Sequence, residues 1–187
     1  FEMGRVAHAG GSVGRFTYTN SYEALDSSLA KGFQYFEIDF VFTRDGYLVC
    51  LHDWDINFGR IFGFANSEPL TLQEFQDLVA ANPWFKSCTL DGLADWMRAH
   101  PEAYLVTDVK DENIRALELI SRTLPDAQRR VIPQIFYPAE FDAVKAIGFE
   151  QIIWTLYRIT PGNLEVLEQL ESWEGPVAVT MARAWAD

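Results

Sequence analysis

Glu37 and Asp39 alternate with Phe36, Ile38, Phe40 and Phe42 in the stretch Tyr35-Phe-Glu-Ile-Asp-Phe-Val-Phe42. An extended chain sends successive side chains to opposite faces, so one face of this strand is apolar and the other carries two carboxylates. Unpaired carboxylates are costly to bury. A divalent cation with hard oxygen ligands, Mg²⁺ or Ca²⁺, would satisfy them; a solvated sheet face would do so equally well. Histidines flank this strand in sequence. His8 precedes Ala9, Gly10 and Gly11, where the backbone can turn sharply or approach a ligand closely, and His52 precedes Asp53. Farther on, Ala103 to Lys110 alternates so that Tyr104, Val106, Asp108 and Lys110 share a face, again with the charged groups at the strand's C-terminal end.

The elements that must position these residues follow a strand-helix rhythm. Arg5 to Ala9 reads as a short strand, followed by a polar loop to Asn20. Asn20 and Glu23 have the spacing of a helix N-cap and its reciprocal partner, Tyr22, Leu25 and Leu29 form a buried stripe, and Gly32 stops the helix. The Tyr35 strand turns at Thr43 to Gly46 into a second short strand, Tyr47 to His52, with Leu48, Cys50 and His52 on one face. Trp54 to Pro69 reads as a long active-site loop. Thr71 and Glu74 open a helix, and Leu90 to Ala99 makes another, with irregular chain between Asn82 and Ser87 and His100 a surface residue at the second helix's end. Beyond the Ala103 strand, Asp111 caps a helix to about Thr123, Val131 to Phe136 is a strand, Pro138 to Ile147 a helix, and Gln151 to Leu156 a strand. Thr160-Pro161 opens a helix over Leu164 to Leu170, and Val177 to Met181 is the seventh strand.

Strands alternating with helices predict an α/β fold, a TIM-type (β/α)8 barrel over residues 1–187 as a single domain. Closure takes eight strands, so the expectation is that the last strand lies beyond Asp187 and the domain is C-terminally incomplete here. In such barrels the reactive groups sit at the C-terminal ends of the strands. His8, Glu37 with Asp39, His52, and Asp108 with Lys110 all obey that rule, which favours one site over four coincidences. Lys110 is then a candidate phosphate contact. Trp54, just after His52-Asp53, and Tyr157-Arg158, just after the Gln151 strand, are candidates to line the pocket.

Fifteen basic and twenty-seven acidic residues give a formal charge of −12, which opposes unaided binding to nucleic acid or to an anionic membrane. A phosphate-bearing substrate would need a metal to supply positive charge. Contact with membrane lipid is open but nothing points to it, and the oligomeric state is not legible. Cys50 and Cys88 are too few for a disulfide framework, and Cys50 reads as a small apolar strand residue. No run approaches a membrane-spanning length and no signal peptide is recognised; a start at Phe1 leaves a removed leader or anchor open, and the compartment, periplasmic, secreted or cytoplasmic, with it.

His8 with its glycines, Asn20-Ser-Tyr-Glu-Ala-Leu, Glu37-Ile-Asp39 and Thr43-Arg-Asp-Gly-Tyr-Leu-Val-Cys-Leu-His52-Asp53 together resemble the glycerophosphodiester phosphodiesterases of the PI-PLC-like phosphodiesterase superfamily. The resemblance spans about Val6 to Lys110; beyond it only the strand-helix rhythm agrees. It implies a TIM-type barrel, a small phosphodiester substrate, one divalent cation held by Glu37, Asp39 and a later acid, Asp108 here, and His8 and His52 as general acid and base in either order. Ala9 stands where the family usually has the arginine of His-Arg-Gly, and Arg15 or Arg158 could take its place. Thr19-Asn20-Ser21 stands for Glu-Asn-Thr, removing one acid. Asp108-Val-Lys110 stands for Glu-x-Lys, and resembles the sphingomyelinase D branch. The expected function is metal-dependent phosphodiester hydrolysis, in lipid metabolism or on an envelope polymer; the alternative is a weakened or inactive metal-binding pseudoenzyme that binds such a ligand. A zinc hydrolase is disfavoured, because only three histidines exist and none are in His-x-His spacing.

Overall fold

The computed structural model describes residues 4–158, 163–173 and 177–180. In chain order the elements are β1 (Val6–Ala7), β2 (Ser12–Val13), β3 (Phe16–Thr17), α1 (Tyr22–Leu29), β4 (Tyr35–Phe42), β5 (Leu48–Cys50), α2 (Ile56–Phe62), α3 (Leu72–Ala81), α4 (Leu90–Ala99), β6 (Tyr104–Val109), α5 (Asn113–Thr123), α6 (Ala127–Arg130), β7 (Val131–Ile135), α7 (Phe141–Ile147), β8 (Ile152–Thr155), α8 (Asn163–Ser172) and β9 (Val177–Thr180). Apart from the small β2-β3 hairpin, these strands form one seven-stranded sheet in the order β1-β4-β6-β7-β8-β9, with β5 paired to β4. All pairings in that order are parallel, and β5 alone is antiparallel. The result is a curled, barrel-like parallel sheet wrapped by helices, the TIM-type class expected from the rhythm of the sequence. The parallel set is six strands rather than seven, because the Tyr47 segment folds back as a hairpin on β4 instead of crossing over.

Alternation in β4 is realised as read. Phe36, Ile38 and Phe40 are fully buried and join Leu105, Val109, Val131, Ile135, Ile152 and Trp154 in the main core between sheet and helices. Each such side chain contributes about 1.5–3 kcal/mol by leaving water. On the inner face, Val106, Ile132 and Ile153 pack with Tyr35 and Ala178 as a small apolar plug. Above the plug, toward the strand C-termini, the same face turns polar: Glu37, Asp39, Asp108, Gln134 and Thr155 are all buried there. A second core, built on Val49, Leu51, Phe58 and Phe75, lies under α2 and α3.

Several local expectations are corrected. Cys50 and Cys88 form a disulfide with Cα atoms 5.0 Å apart, so Cys50 is a cross-link rather than a small apolar residue. Both cysteines are fully buried, and Cys50 N–H donates to Cys88 O at 2.8 Å, so the bridge ties β5 to the segment entering α4. The Trp54 to Pro69 loop contains α2, ended by Gly63 in the left-handed conformation. Its Phe58 and Ile61 anchor it to the second core, a helical spacing hidden among aromatics and glycines. Ser21, not Asn20, caps α1, its side chain accepting from Ala24 N–H. Nor does Asp111 cap α5: the N-cap is Glu112, with φ 51° and no side-chain cap bond. Leu156 belongs to a 3₁₀ turn, Leu156–Arg158, and Pro138–Glu140 is another such turn before α7. Thr160, Pro161 and Met181 lie outside the described residues. Among those described, no helix is long and apolar enough to cross a membrane.

Candidate active site

The inner face of the sheet assembles the acids. Parallel register sets Asp39 beside Asp108 and Glu37 beside Val106, so three carboxylates from β4 and β6 converge above the apolar plug. One oxygen from each of Glu37, Asp39 and Asp108 lies within 4.8 Å of the others. They are 5%, 1% and 7% exposed, so the solvated-face alternative does not hold.

Each acid has a distinct set of partners. Glu37 Oε2 accepts from the Ala9 N–H at 2.7 Å and lies 3.6 Å from His8 Nε2. Ala9 can present its amide there because it sits in the left-handed region, φ 50°, within the 3₁₀ turn His8–Gly10. Gly11 follows at φ 107°, and a Cβ on it would meet Ser28 Oγ at 2.0 Å, so only glycine lets α1 close against this turn. Asp39 is clamped twice by fully buried Asn20, whose Nδ2 donates to Asp39 Oδ2 at 3.0 Å and whose Oδ1 accepts the Asp39 N–H at 3.1 Å. Lys110 Nζ lies 2.9 Å from Asp39 Oδ1 and donates to Asp108 Oδ2 at 2.8 Å. Tyr157 Oη donates to the same Asp108 oxygen at 3.0 Å. Three carboxylate oxygens are buried without a hydrogen bond: Asp39 Oδ1 has the Lys110 ammonium beside it, and Glu37 Oε1 and Asp108 Oδ1 are left orphaned.

The electrostatics follow from this burial. Desolvation, reinforced by the Asp39 carboxylate, pushes the Glu37 carboxyl up to about 8, with the Ala9 N–H working against the rise. For Lys110, burial alone would lower the ammonium, but Asp39 and Asp108 outweigh it and hold it above its ordinary value. Burial and the Asp108 charge raise the Tyr157 phenol to about 12, so it stays a donor. One ammonium therefore faces three clustered carboxyl groups. Two orphaned oxygens and a surplus of negative charge fit a hard divalent cation.

His8 borders this cluster at Glu37, and the Tyr18 ring links it to His52. His52 Nδ1 is 2.7 Å from Asp53 Oδ2. Asp53 Oδ1 accepts from the N–H groups of Asp55 at 3.1 Å and Asn57 at 2.7 Å. Burial works to raise the Asp53 carboxyl, but these hydrogen bonds and the one to His52 hold it below its ordinary value, so it is an acceptor and His52 Nδ1 is the donor to it. The rings of His8 and His52 both meet Tyr18 edge to face.

Of the other residues singled out in the sequence, Tyr157 and Lys110 adjoin the acids. Arg158 reaches the edge of the cluster, its Nη1 donating to Lys110 O at 3.1 Å and its guanidinium 3.9 Å from the Phe136 ring centroid. Arg15 stacks at 5.4 Å over Phe16 in the β2-β3 hairpin. Trp54 turns its ring to Phe58 and Phe75 in the second core and donates its indole N–H to Phe42 O at 3.0 Å. The sequence pattern gave no site role to Asn20, Tyr18 or Asn57. Asn20 carried a signal, since it occupies the asparagine of the family's Glu-Asn-Thr; Tyr18 and Asn57 carried none, because their roles depend on chain crossings between the first turn and α2.

The sequence model of the glycerophosphoryl diester phosphodiesterase family matches residues 9–118, more than half of the chain. The chain belongs to that family. Its members are enzymes that hydrolyse phosphodiester bonds, and the protein is a phosphodiesterase of this kind. The match begins at the turn beside His8 and includes all three acids, His52 and Lys110. Solved structures agree in fold. A glycerophosphodiester phosphodiesterase from Galdieria sulphuraria aligns with TM-score 0.69 at 20% identity, covering 93% of this chain and 73% of its own. A glycerophosphoryl diester phosphodiesterase from Parabacteroides distasonis aligns with TM-score 0.61 at 21% identity, covering 88% and 67%. An Oleispira antarctica phosphodiesterase, in complex with the product sn-glycerol-3-phosphate, aligns with TM-score 0.56 at 12% identity, covering 95% and 83%. No curated protein matches the sequence significantly.

Proposed function

We propose that the protein hydrolyses a small glycerophosphodiester with the help of one divalent cation, Mg²⁺ or Ca²⁺, and with His8 and His52 as the proton-transfer pair. The observation that carries the reading is the buried cluster of Glu37, Asp39 and Asp108 with its two orphaned oxygens. These three acids would hold the cation. When bound, such an ion supplies charge stabilisation to a phosphoryl oxygen. The glycerophosphodiester class is supported by the family, and by the product carried by the Oleispira antarctica relative.

The chain's own residues divide the remaining work. Asp53 holds the His52 proton on Nδ1, so Nε2 offers a lone pair that takes the proton from the attacking hydroxyl, whether from water or from the substrate. As the new P–O bond forms, the bond to the leaving alcohol breaks and His8 Nε2 gives that oxygen a proton. Lys110, held cationic by Asp39 and Asp108, offsets charge gathering on the phosphoryl oxygens. Tyr157 and Asn20 fix the orientation of Asp108 and Asp39. Arg158, anchored on the Lys110 carbonyl, is the basic residue we assign to the role of the arginine replaced by Ala9.

The test is turnover of glycerophosphocholine by His8→Ala and His52→Ala, with circular dichroism to establish folding. Losses of about 10²–10⁴-fold in kcat with folding intact are expected for each. Near-normal rates in both would overturn the proton-transfer assignment.

A further inference from the structure

Tyr18 lies between the two imidazoles. Its ring centroid is 4.7 Å from that of His8 at an interplanar angle of 76°, and 5.9 Å from that of His52 at 83°. Edge-to-face contacts of this kind fix the angle between rings as well as their distance. Tyr18 adopts φ 58°, a region that bulky residues rarely occupy, so the surrounding structure must hold it there. The holding contacts are on the same network as His52. Asn57, 4% exposed, donates from Nδ2 to Tyr18 O at 3.0 Å, and its own N–H donates to Asp53 Oδ1, while the other Asp53 oxygen takes His52 Nδ1. Two residues on, Asn20 clamps Asp39. The segment 18–20 thus connects both histidines to the acidic cluster.

The space around His8 gives Tyr18 something to prevent. The His8 side chain is 61% exposed, and beside it opens a cavity of about 360 Å³ lined by His8, Tyr18, Ser12, Thr17, Lys31 and Phe33. Apart from the 3.6 Å approach to Glu37, the described contact that restrains the His8 ring is the Tyr18 ring. Without it, His8 has room to rotate into the cavity and away from the leaving oxygen.

We propose that Tyr18 is a positioning residue that sets the separation and mutual angle of His8 and His52, so that both imidazoles address one phosphodiester at once. The inference rests on the reading of those histidines as the proton-transfer pair. The ring is what acts; the phenol hydroxyl is dispensable.

The experiment compares Tyr18→Phe, Tyr18→Leu and Tyr18→Ala in the full chain, using glycerophosphocholine with bis(4-nitrophenyl) phosphate as a second probe, alongside His8→Ala and His52→Ala. Tyr18→Phe should keep kcat within about threefold, whereas Tyr18→Leu and Tyr18→Ala should lose about 10²-fold in kcat with KM little changed, the cost of a misplacement of about 1 Å. The pH-rate profile of the Leu variant should lose the limb that reports the displaced imidazole, because a group that no longer transfers a proton no longer shapes the profile. Mg²⁺ or Ca²⁺ affinity, read by calorimetry without turnover, should be unchanged in all three. A Leu variant that is folded, with wild-type kcat and pH profile, would overturn the inference while inactive His8→Ala and His52→Ala leave the acid-base reading standing. A Phe variant as damaged as the Ala variant would also overturn it, by showing that the hydroxyl acts. Activity in both histidine variants would remove the reading and the inference together.

Discussion

Opening the Cys50–Cys88 bridge should cost a large part of the protein's stability. The bridge closes a segment with a sequence separation of 38. The chain-entropy relation for a loop of that size gives about 13 cal/mol/K, or about 4 kcal/mol at 25 °C. Total stabilities of single domains run about 5–15 kcal/mol, so the loss is a substantial fraction. Because the reduced protein keeps both sulfur atoms, the comparison leaves no cavity behind, unlike substitution of the cysteines. Equilibrium unfolding in guanidinium chloride, with and without reductant, should therefore show a difference of about 3–5 kcal/mol. The thermal midpoint should fall by about 8–16 °C for a chain of this length. The double variant Cys50→Ala/Cys88→Ala should lose as much or somewhat more. Peptide mapping should recover the Cys50–Cys88 pair from protein folded under oxidising conditions. Midpoints that coincide for the oxidised and reduced protein, or free thiols at both positions in oxidised protein, would rule out the cross-link as a source of that stability.

The site carries further consequences. Asn20→Ala removes both hydrogen bonds to Asp39; cation affinity should fall about 10–100-fold by calorimetry, as for loss of a partner that orients a ligand. Asp53→Asn takes away the acceptor that keeps the His52 proton on Nδ1, and kcat should drop about 10²–10⁴-fold with KM nearly constant in steady-state kinetics. Glu37 in the cation-free protein is protonated below about 8, so cation binding must displace its proton: affinity should rise with pH, by up to about tenfold per unit, and level off above pH 8. The stability of the cation-free protein has the opposite dependence. The folded state holds a Glu37 proton that the unfolded chain releases near its ordinary carboxylate value, so this group's contribution is largest at acidic pH and is lost as pH rises toward 8. Chemical unfolding at pH 5 and pH 8 without cation reads that sign.

Much of the acidic cluster was legible because a single strand encodes it. Alternation in Tyr35 to Phe42 separates Glu37 and Asp39 from the phenylalanines whatever the partner strand, and the same period puts Asp108 on its face of β6. Parallel register then brings the two faces together, and the strand-helix rhythm supplies parallel pairing. The Tyr47 segment was legible as a strand, but its antiparallel return onto β4 takes it out of the parallel set, and alternation alone does not distinguish the two directions. Aromatic-rich sequence hid α2. The disulfide depends on the meeting of β5 with the entry to α4, a contact between segments far apart in sequence. Asn20 shows a different limit: the spacing to Glu23 suits a cap, but the left-handed backbone at φ 47° turns its amide toward Asp39 and leaves capping to Ser21. Tyr18 and Asn57 owe their roles to the same crossing, which no local pattern announces.

Cation-dependent phosphodiester hydrolysis is read by turnover on a panel of glycerophosphocholine, glycerophosphoinositol and a lysophospholipid, first with Mg²⁺ or Ca²⁺ and then after EDTA. Multiple turnovers on at least one glycerophosphodiester are expected, abolished by chelation and restored by adding back the cation. Turnover undiminished in EDTA would contradict the role given to Glu37, Asp39 and Asp108, and cation binding to those acids with no turnover on any panel member would contradict the assigned reaction.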